Sequence, residues 1–235
     1  MKKIVILTTD TLHHRYFINY LLESVILSAV IVENNVSHAE FETGPLYENK
    51  EKEFELKHFF DETPNTLPTN ILKNVKSVND QISIETLKKI NPDFGIVFGT
   101  GRISEDIINL FKDGLINVHR GVVEKYRGLD SDLWAIYHND YKNIGVTIHQ
   151  VFPELDTGNI VFSEKMPLKI NMKVYQIRYV TTVIASKLVQ KSIFNYLNSN
   201  LNTIPQKKLG RYYSYMPLVL KKIVLRKFNN YCKNL

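Results

Sequence analysis

The chain has 235 residues, 44% of them apolar, and a formal charge of +6. That size suffices for one globular domain with a substantial core. The single cysteine, Cys232, excludes a disulfide framework and a cysteine-based metal cluster, and it points to a reducing, cytoplasmic compartment. The positive balance suits a partner carrying phosphate or carboxylate and does not bear on fold.

The opening MKKIVILTTD holds an apolar run too short for a signal-peptide core or a membrane span, and residues 3–8 read as a buried parallel strand. Tyr16, Phe17, Tyr20 and Leu21 fall at helical spacing within 12–22, and 27–32 reads as a second strand. A strand, helix and strand in so short a span imply a right-handed crossover and an open α/β sheet. Residues 33–70 are polar and broken by Pro45, Pro64 and Pro68, with a charged helix at 50–60 and loop elsewhere. The pattern then predicts a short strand at 75–78, a helix at 83–90 capped by Ser83, and a buried strand at 93–99. Ser104 opens another helix whose first turn carries Glu105 and Asp106, complementing the macrodipole. A short strand at 115–119, a helix at 130–138, strands at 144–152 and 159–162 around a loop, and a long helix at 173–198 complete the series.

Residues 207–233 are rich in lysine and arginine, hold no acidic residue and interleave tyrosines with apolar positions. Three readings fit: a nucleic-acid surface, a membrane-facing amphipath, or a packed terminal segment with its basic residues on the wet face, and the last is preferred. The chain has no internal repeat. The expected organisation is a core at 1–165 with a C-terminal helix and basic tail at 166–235 packed on it, one domain overall.

Asn117 and His119 lie two apart at the end of a strand, so their side chains share a side. Strand ends at the carboxyl edge of a parallel sheet are where ligands collect, and Asp156 sits in a loop that can return there. A carboxylate beside an imidazole fixes its tautomer and stabilises its charged form, as acid/base work requires, while an amide can donate to a developing oxyanion. The plain alternative is that His119 is a hydrogen-bonded structural residue. With no serine, cysteine or threonine beside His119, direct attack by a substrate nucleophile fits better than a covalent acyl-enzyme. No metal is expected, because His119, His138 and His149 lack the spacing of a compact zinc site. The turn Tyr126, Arg127, Gly128 is compatible with clamping an anion and equally with packing. His13 and His14 open the first helix near the same edge; solvated or capping roles are preferred, and Trp134 is read as core. Gly99-Thr-Gly101 lacks the third glycine of a dinucleotide fingerprint, and Asp156-Thr-Gly158 lacks the second carboxylate of an aspartic-protease pair.

Five ordered segments, Asn117-Val-His119, Tyr126-Arg-Gly128, the helix that follows, Gly145-Val-Thr-Ile-His149 and Asp156-Thr-Gly158, make the chain resemble the folate-dependent formyltransferase family. The weaker likeness extends over about residues 1–165, and one departure is Glu124, where many members carry proline. The resemblance implies a Rossmann-like α/β fold with a mostly parallel twisted sheet and a helical, basic C-terminal appendage. It implies transfer of a formyl group from N10-formyltetrahydrofolate to an amine, with Asn117, His119 and Asp156 as catalytic residues. His119 would deprotonate the amine and, with Asn117, stabilise the oxyanion; Asp156 would orient the imidazole and relay protons. The folate would lie against Phe98, Gly99, Arg102, Ile103, Leu155 and Asp156, and the substrate against Tyr126, Arg127 and Gly128.

Among the branches, glycinamide ribonucleotide formyltransferases carry a glycine-rich phosphate loop where this chain reads TTDTLHHRYF. Initiator-tRNA formyltransferases carry a C-terminal β-barrel unlike the helical pattern here, and the hydrolases an N-terminal regulatory domain. Sugar N-formyltransferases acting on nucleotide-linked amino deoxyhexoses, in surface-polysaccharide assembly, fit best. A homodimer through the C-terminal segment is expected, with no stable nucleic-acid partner. The alternatives are formylation of methionyl-tRNA or glycinamide ribonucleotide, or a non-catalytic module that binds polyanions through its tail.

Overall fold

A computed structural model describes residues 1–34, 38–61 and 65–235. Pro64, read above as a loop breaker, lies outside them. The elements run β1 Ile4–Thr9, α1 Leu12–Leu22, β2 Ala29–Glu33, α2 Glu48–Phe59, β3 Leu72–Val75, α3 Gln81–Ile90, β4 Phe94–Phe98, α4 Glu105–Ile108 and β5 Leu115–His119. They continue with β6 Tyr126–Gly128, α5 Ser131–Tyr137, β7 Gly145–Gln150, β8 Ile160–Lys165, α6 Ile177–Leu197, β9 Arg211–Tyr213 and α7 Leu218–Lys233.

Seven strands form one sheet in the order β3-β2-β1-β4-β5-β7-β8. Pairing is parallel from β3 to β5 and antiparallel for β5–β7 and β7–β8. The side-chain period of two splits each central strand between two cores. Ile4, Ile6, Val30, Val32, Ile96 and Val118 enter the larger one, shared with Phe17, Val189 and Phe228 of α1, α6 and α7. Val5, Leu7, Ile31, Val97 and Leu115 enter the smaller, closed by Leu87 and Ile107 of α3 and α4. Burial on both faces explains why these strands read as continuous apolar runs.

The strand expected at 75–78 is displaced: β3 is Leu72–Val75, paired with β2, while Val78 lies in the following turn and donates its N–H to Glu33. The cap of α3 is also corrected. Asp80, not Ser83, is the N-cap, because its carboxylate reaches the Ser83 N–H at 2.8 Å, the bond that satisfies an otherwise orphaned donor of the first turn. Ser83 is inside the helix, with its hydroxyl on the Ser77 carbonyl.

The C-terminal region is more than an appendage of helices. Strand β9 pairs in parallel with β6. Helix α7 buries Lys221, Val224, Phe228 and Cys232 along one stripe and leaves Lys222 and Arg226 exposed. Helix α2 buries Phe59 against Tyr16 and is held through charge as well: Arg178 of α6 binds Glu51 at 2.8 Å and Glu55 at 2.6 Å.

Candidate active site

The strand order reverses between β1 and β4, and such a switch point leaves a crevice at the carboxyl ends of the strands. Here it is a cavity of about 800 Å³ lined by the ends of β1, β4 and β5 at Thr9, Phe98 and His119. Around these ends stand the start of α1, the 99–103 turn, the 152–156 loop, residues 128–132 and Tyr212 and Tyr215 from the C-terminal segment.

Asn117, His119 and Asp156 meet in this cavity. Antiparallel pairing puts Asn117 directly opposite His149. The buried carboxylate of Asp156 lies between two imidazoles, with Oδ2 3.6 Å from His119 Nδ1 and Oδ1 3.3 Å from His149 Nε2. The Gly128 N–H donates to Oδ2 at 2.7 Å. Asp156 has φ of 54°, a left-handed conformation that aspartate tolerates better than most residues. Burial alone would raise its pKa, but His119, His149 and the Gly128 N–H outweigh that and hold it well below the usual carboxylate range.

His119 is oriented by a backbone group. Its Nε2 lies 2.8 Å from the Tyr126 carbonyl, which can only accept, so Nε2 carries the proton and Nδ1 is the bare nitrogen of the neutral ring. Thus the tautomer expected to be set by Asp156 is set by Tyr126 O, and Asp156 faces the basic nitrogen instead. Burial is the main cause that lowers the His119 pKa; His149 and Arg120 add to it, while Asp156 and the Tyr126 bond pull the other way. The ring is therefore a neutral base at pH 7, with a carboxylate ready to stabilise its charged form. Gly121 makes room for it, since a Cβ there would stand 2.5 Å from His119 Nε2.

His149, read above as part of a motif and set aside as a zinc ligand, stands beside Asn117 and Asp156. Its Nδ1 donates to the Gln150 carbonyl at 2.8 Å, and in the neutral ring Nε2 accepts from Asn117 Nδ2 at 3.2 Å. The position opposite Asn117 on an apolar strand was the available signal. Gln206 gave no signal at all: its Nε2 holds the carbonyls of Asp156 and Gly158, each at 2.9 Å.

The other expected positions divide. Phe98, Gly99, Arg102, Ile103, Leu155 and Gly128 line the cavity, and Arg102 ties its two loops together by donating to the Pro153 carbonyl at 2.7 and 3.0 Å. Tyr126 is buried with its hydroxyl on Asp140, and Arg127 donates to the carbonyls of Gly210 and Leu155; neither lines the cavity. Of the two readings of that turn, packing is the one its side chains adopt. His13 and His14, read as solvated or capping, are buried in the cavity wall with ring centroids 4.0 Å apart and Nδ1 atoms on the Thr11 hydroxyl. Burial, then Arg120 and Arg178, hold His14 at about 3, so it is uncharged. Trp134, read as core, is half-buried, stacks on Tyr213 and donates to Ser214 O.

Residues 23–189 match the sequence model of the formyl transferase family. The chain belongs to that family. Among curated relatives, methionyl-tRNA formyltransferase of Finegoldia magna is 31% identical over 122 residues, 52% of this chain and 39% of the relative. The Clostridium tetani protein of the same name is 29% identical over 160 residues, 68% of this chain and 51% of the relative. The chain thus spans about half the length, or less, of these curated relatives. Solved structures share the formyl transferase fold at low identity. A 4-N formyltransferase from Francisella tularensis gives a TM-score of 0.63 at 17% identity, covering 90% of this chain and 76% of that one. The formyltransferase PseJ from Anoxybacillus kamchatkensis, solved with UDP-4,6-dideoxy-4-formamido-L-AltNAc and tetrahydrofolate, gives 0.59 at 21%, covering 99% and 100%. HypX from Aquifex aeolicus, solved with tetrahydrofolic acid, gives 0.65 at 19%, covering 96% and 33%.

Proposed function

We propose that this protein transfers a formyl group from N10-formyltetrahydrofolate to the amine of a nucleoside-diphosphate-linked amino deoxyhexose. The observation that carries the reading is the neutral His119 Nδ1, facing a carboxylate and flanked by the Asn117 amide, at the switch point of a formyl transferase fold. The substrate amine attacks the formyl carbon, forming a C–N bond as the carbonyl electrons move to oxygen. His119 Nδ1 takes the amine proton and the new imidazolium pairs with Asp156. The Asn117 amide has two N–H groups, one on His149 and one left for the oxyanion. Collapse re-forms the carbonyl, breaks the bond to the folate N10, and delivers the proton to that nitrogen.

The tetrahydrofolate bound to HypX and PseJ, and the UDP-linked sugar in PseJ, support the donor and the acceptor class. The likeness to PseJ covers 99% of this chain and 100% of that one. The identity of about 30% to the methionyl-tRNA enzymes favours methionyl-tRNA as the second reading. The test is to supply the formyl donor with UDP- and dTDP-linked amino sugars and, separately, with methionyl-tRNA, and to follow a mass gain of one carbonyl unit. Gain on a nucleotide sugar alone is expected; gain on methionyl-tRNA alone overturns the proposal. Action in the cytoplasm and a homodimer built through the C-terminal segment belong to the same proposal. A monomer by sedimentation at micromolar concentration contradicts the latter.

A further inference from the structure

Two guanidinium groups line the cavity, those of Arg102 and Arg120. Arg102 donates to the Pro153 carbonyl. Arg120, half-buried, makes no hydrogen bond and no ion pair among the described residues. Among the cavity carboxylates, Asp10 binds Arg15, Glu33 accepts from the N–H groups of Val78 and Gly101, Asp130 from that of Met216 and Asp132 from that of Leu133. A partly desolvated guanidinium with five donors and no acceptor is costly to leave unmatched. Its fork fits the paired oxygens of a phosphate.

We propose that Arg120 anchors the diphosphate of the amine substrate and so sets which acceptors reach His119. The assignment rests on the nucleotide-sugar reading above. Arg120 follows His119 directly in the chain, and a hexose whose amine reaches His119 carries its diphosphate across one ring. Its charge acts on His13 and His14 of α1, Glu51 of α2 and Asp130, which puts it toward the α1–α2 side of the cavity. The 152–156 loop, tied down by Arg102, forms the wall proposed for folate. The place at the end of β1 where a phosphate loop would lie holds the uncharged His13 and His14 instead, so the cation for an anionic acceptor comes from β5.

The test measures Kd by titration calorimetry for UDP, dTDP and tetrahydrofolate, with wild type, Arg120→Met, Arg120→Lys and, as a surface-charge control, Lys222→Met. Arg120→Met is expected to weaken the nucleoside diphosphates by about 10- to 100-fold, in line with loss of a charge-assisted bidentate contact. Arg120→Lys recovers part of that, Lys222→Met changes nothing, and tetrahydrofolate stays within about twofold throughout. Nucleoside diphosphate affinity within twofold of wild type in Arg120→Met overturns the assignment. So does a loss confined to tetrahydrofolate, which would move the anion to the folate glutamate. A wild type that forms formylated sugar nucleotide while Arg120→Met binds UDP normally fails this assignment alone. A wild type that binds tetrahydrofolate but no nucleoside diphosphate fails the substrate reading and the assignment with it.

Discussion

His119 offers its Nδ1 to the cavity because its other nitrogen is committed to the Tyr126 carbonyl, and burial keeps the ring neutral. His119→Ala is therefore expected to lower kcat by about 10²–10⁴, the usual share of a general base, with tetrahydrofolate affinity retained by calorimetry. A retained kcat would return His119 to a structural role. The lowered pKa places the acid limb of the kcat/KM profile below the ordinary histidine value; a limb above 6.5 would contradict it. That Asn117 and His119 share a strand end, and that the Asp156 loop returns to it, was legible in the sequence; their roles remain the proposal above. The Tyr126 carbonyl and Gly128 N–H were not legible, since backbone groups leave no mark on side-chain identity. His149 stood in view as part of a motif, but only strand register brings it opposite Asn117.

At the scale of elements, the pairing of β9 with β6 holds the site together. Strand β6 supplies both the carbonyl that orients His119 and the N–H that holds Asp156, and β9 fixes β6 through backbone bonds, with Gly210 N on Val123 O at 3.1 Å. Glu124, the departure from the family pattern, contributes by accepting the Lys207 N–H at 2.7 Å. A Cβ at Gly210 would stand 2.3 Å from the Val123 carbonyl. Gly210→Val should cost about 1–3 kcal/mol in denaturant unfolding and reduce kcat as well. Lost stability with full turnover would uncouple β9 from the site. Composition disguised this strand: three residues in a basic, tyrosine-rich stretch have no alternation long enough to read, and their partner lies more than eighty residues away. The parallel strands β1, β2, β4 and β5, buried on both faces, were readable to within a residue or two, whereas the half-exposed β3 was displaced by three.

For the molecule as a whole, α6 and α7 close the larger core, and Phe228 is fully buried in it. Phe228→Ala should cost about 3–5 kcal/mol and unfold in a single transition together with the rest of the chain. Two separated transitions would contradict the one-domain organisation expected from the sequence. Electrostatics sets the pH dependence of stability. Burial, with Glu55 and Asp132 opposing Arg178 and Arg120, pushes Glu51 up to about 7, so the folded state holds its proton longer than the unfolded chain. Its contribution is full below the unfolded value and is lost as pH rises through about 7. Relative to wild type, Glu51→Gln should thus gain Tm between pH 5 and pH 8, and a constant difference would contradict this. Asp156 acts with the opposite sign: its lowered pKa gives stability above the unfolded value that is lost in acid. The ion pairs between α2 and α6 escaped the sequence reading because nothing in the charged run at 50–60 shows that Arg178, more than a hundred residues on, packs beside it.

In the proposed mechanism the His119 imidazole and the Asp156 carboxylate act as one unit on one reacting carbon. Single-turnover formyl transfer by wild type, His119→Ala, Asp156→Asn and the double variant tests it most directly. Each single substitution is expected to cost nearly as much as both together. Additive losses, or transfer that survives in the double variant, would contradict it.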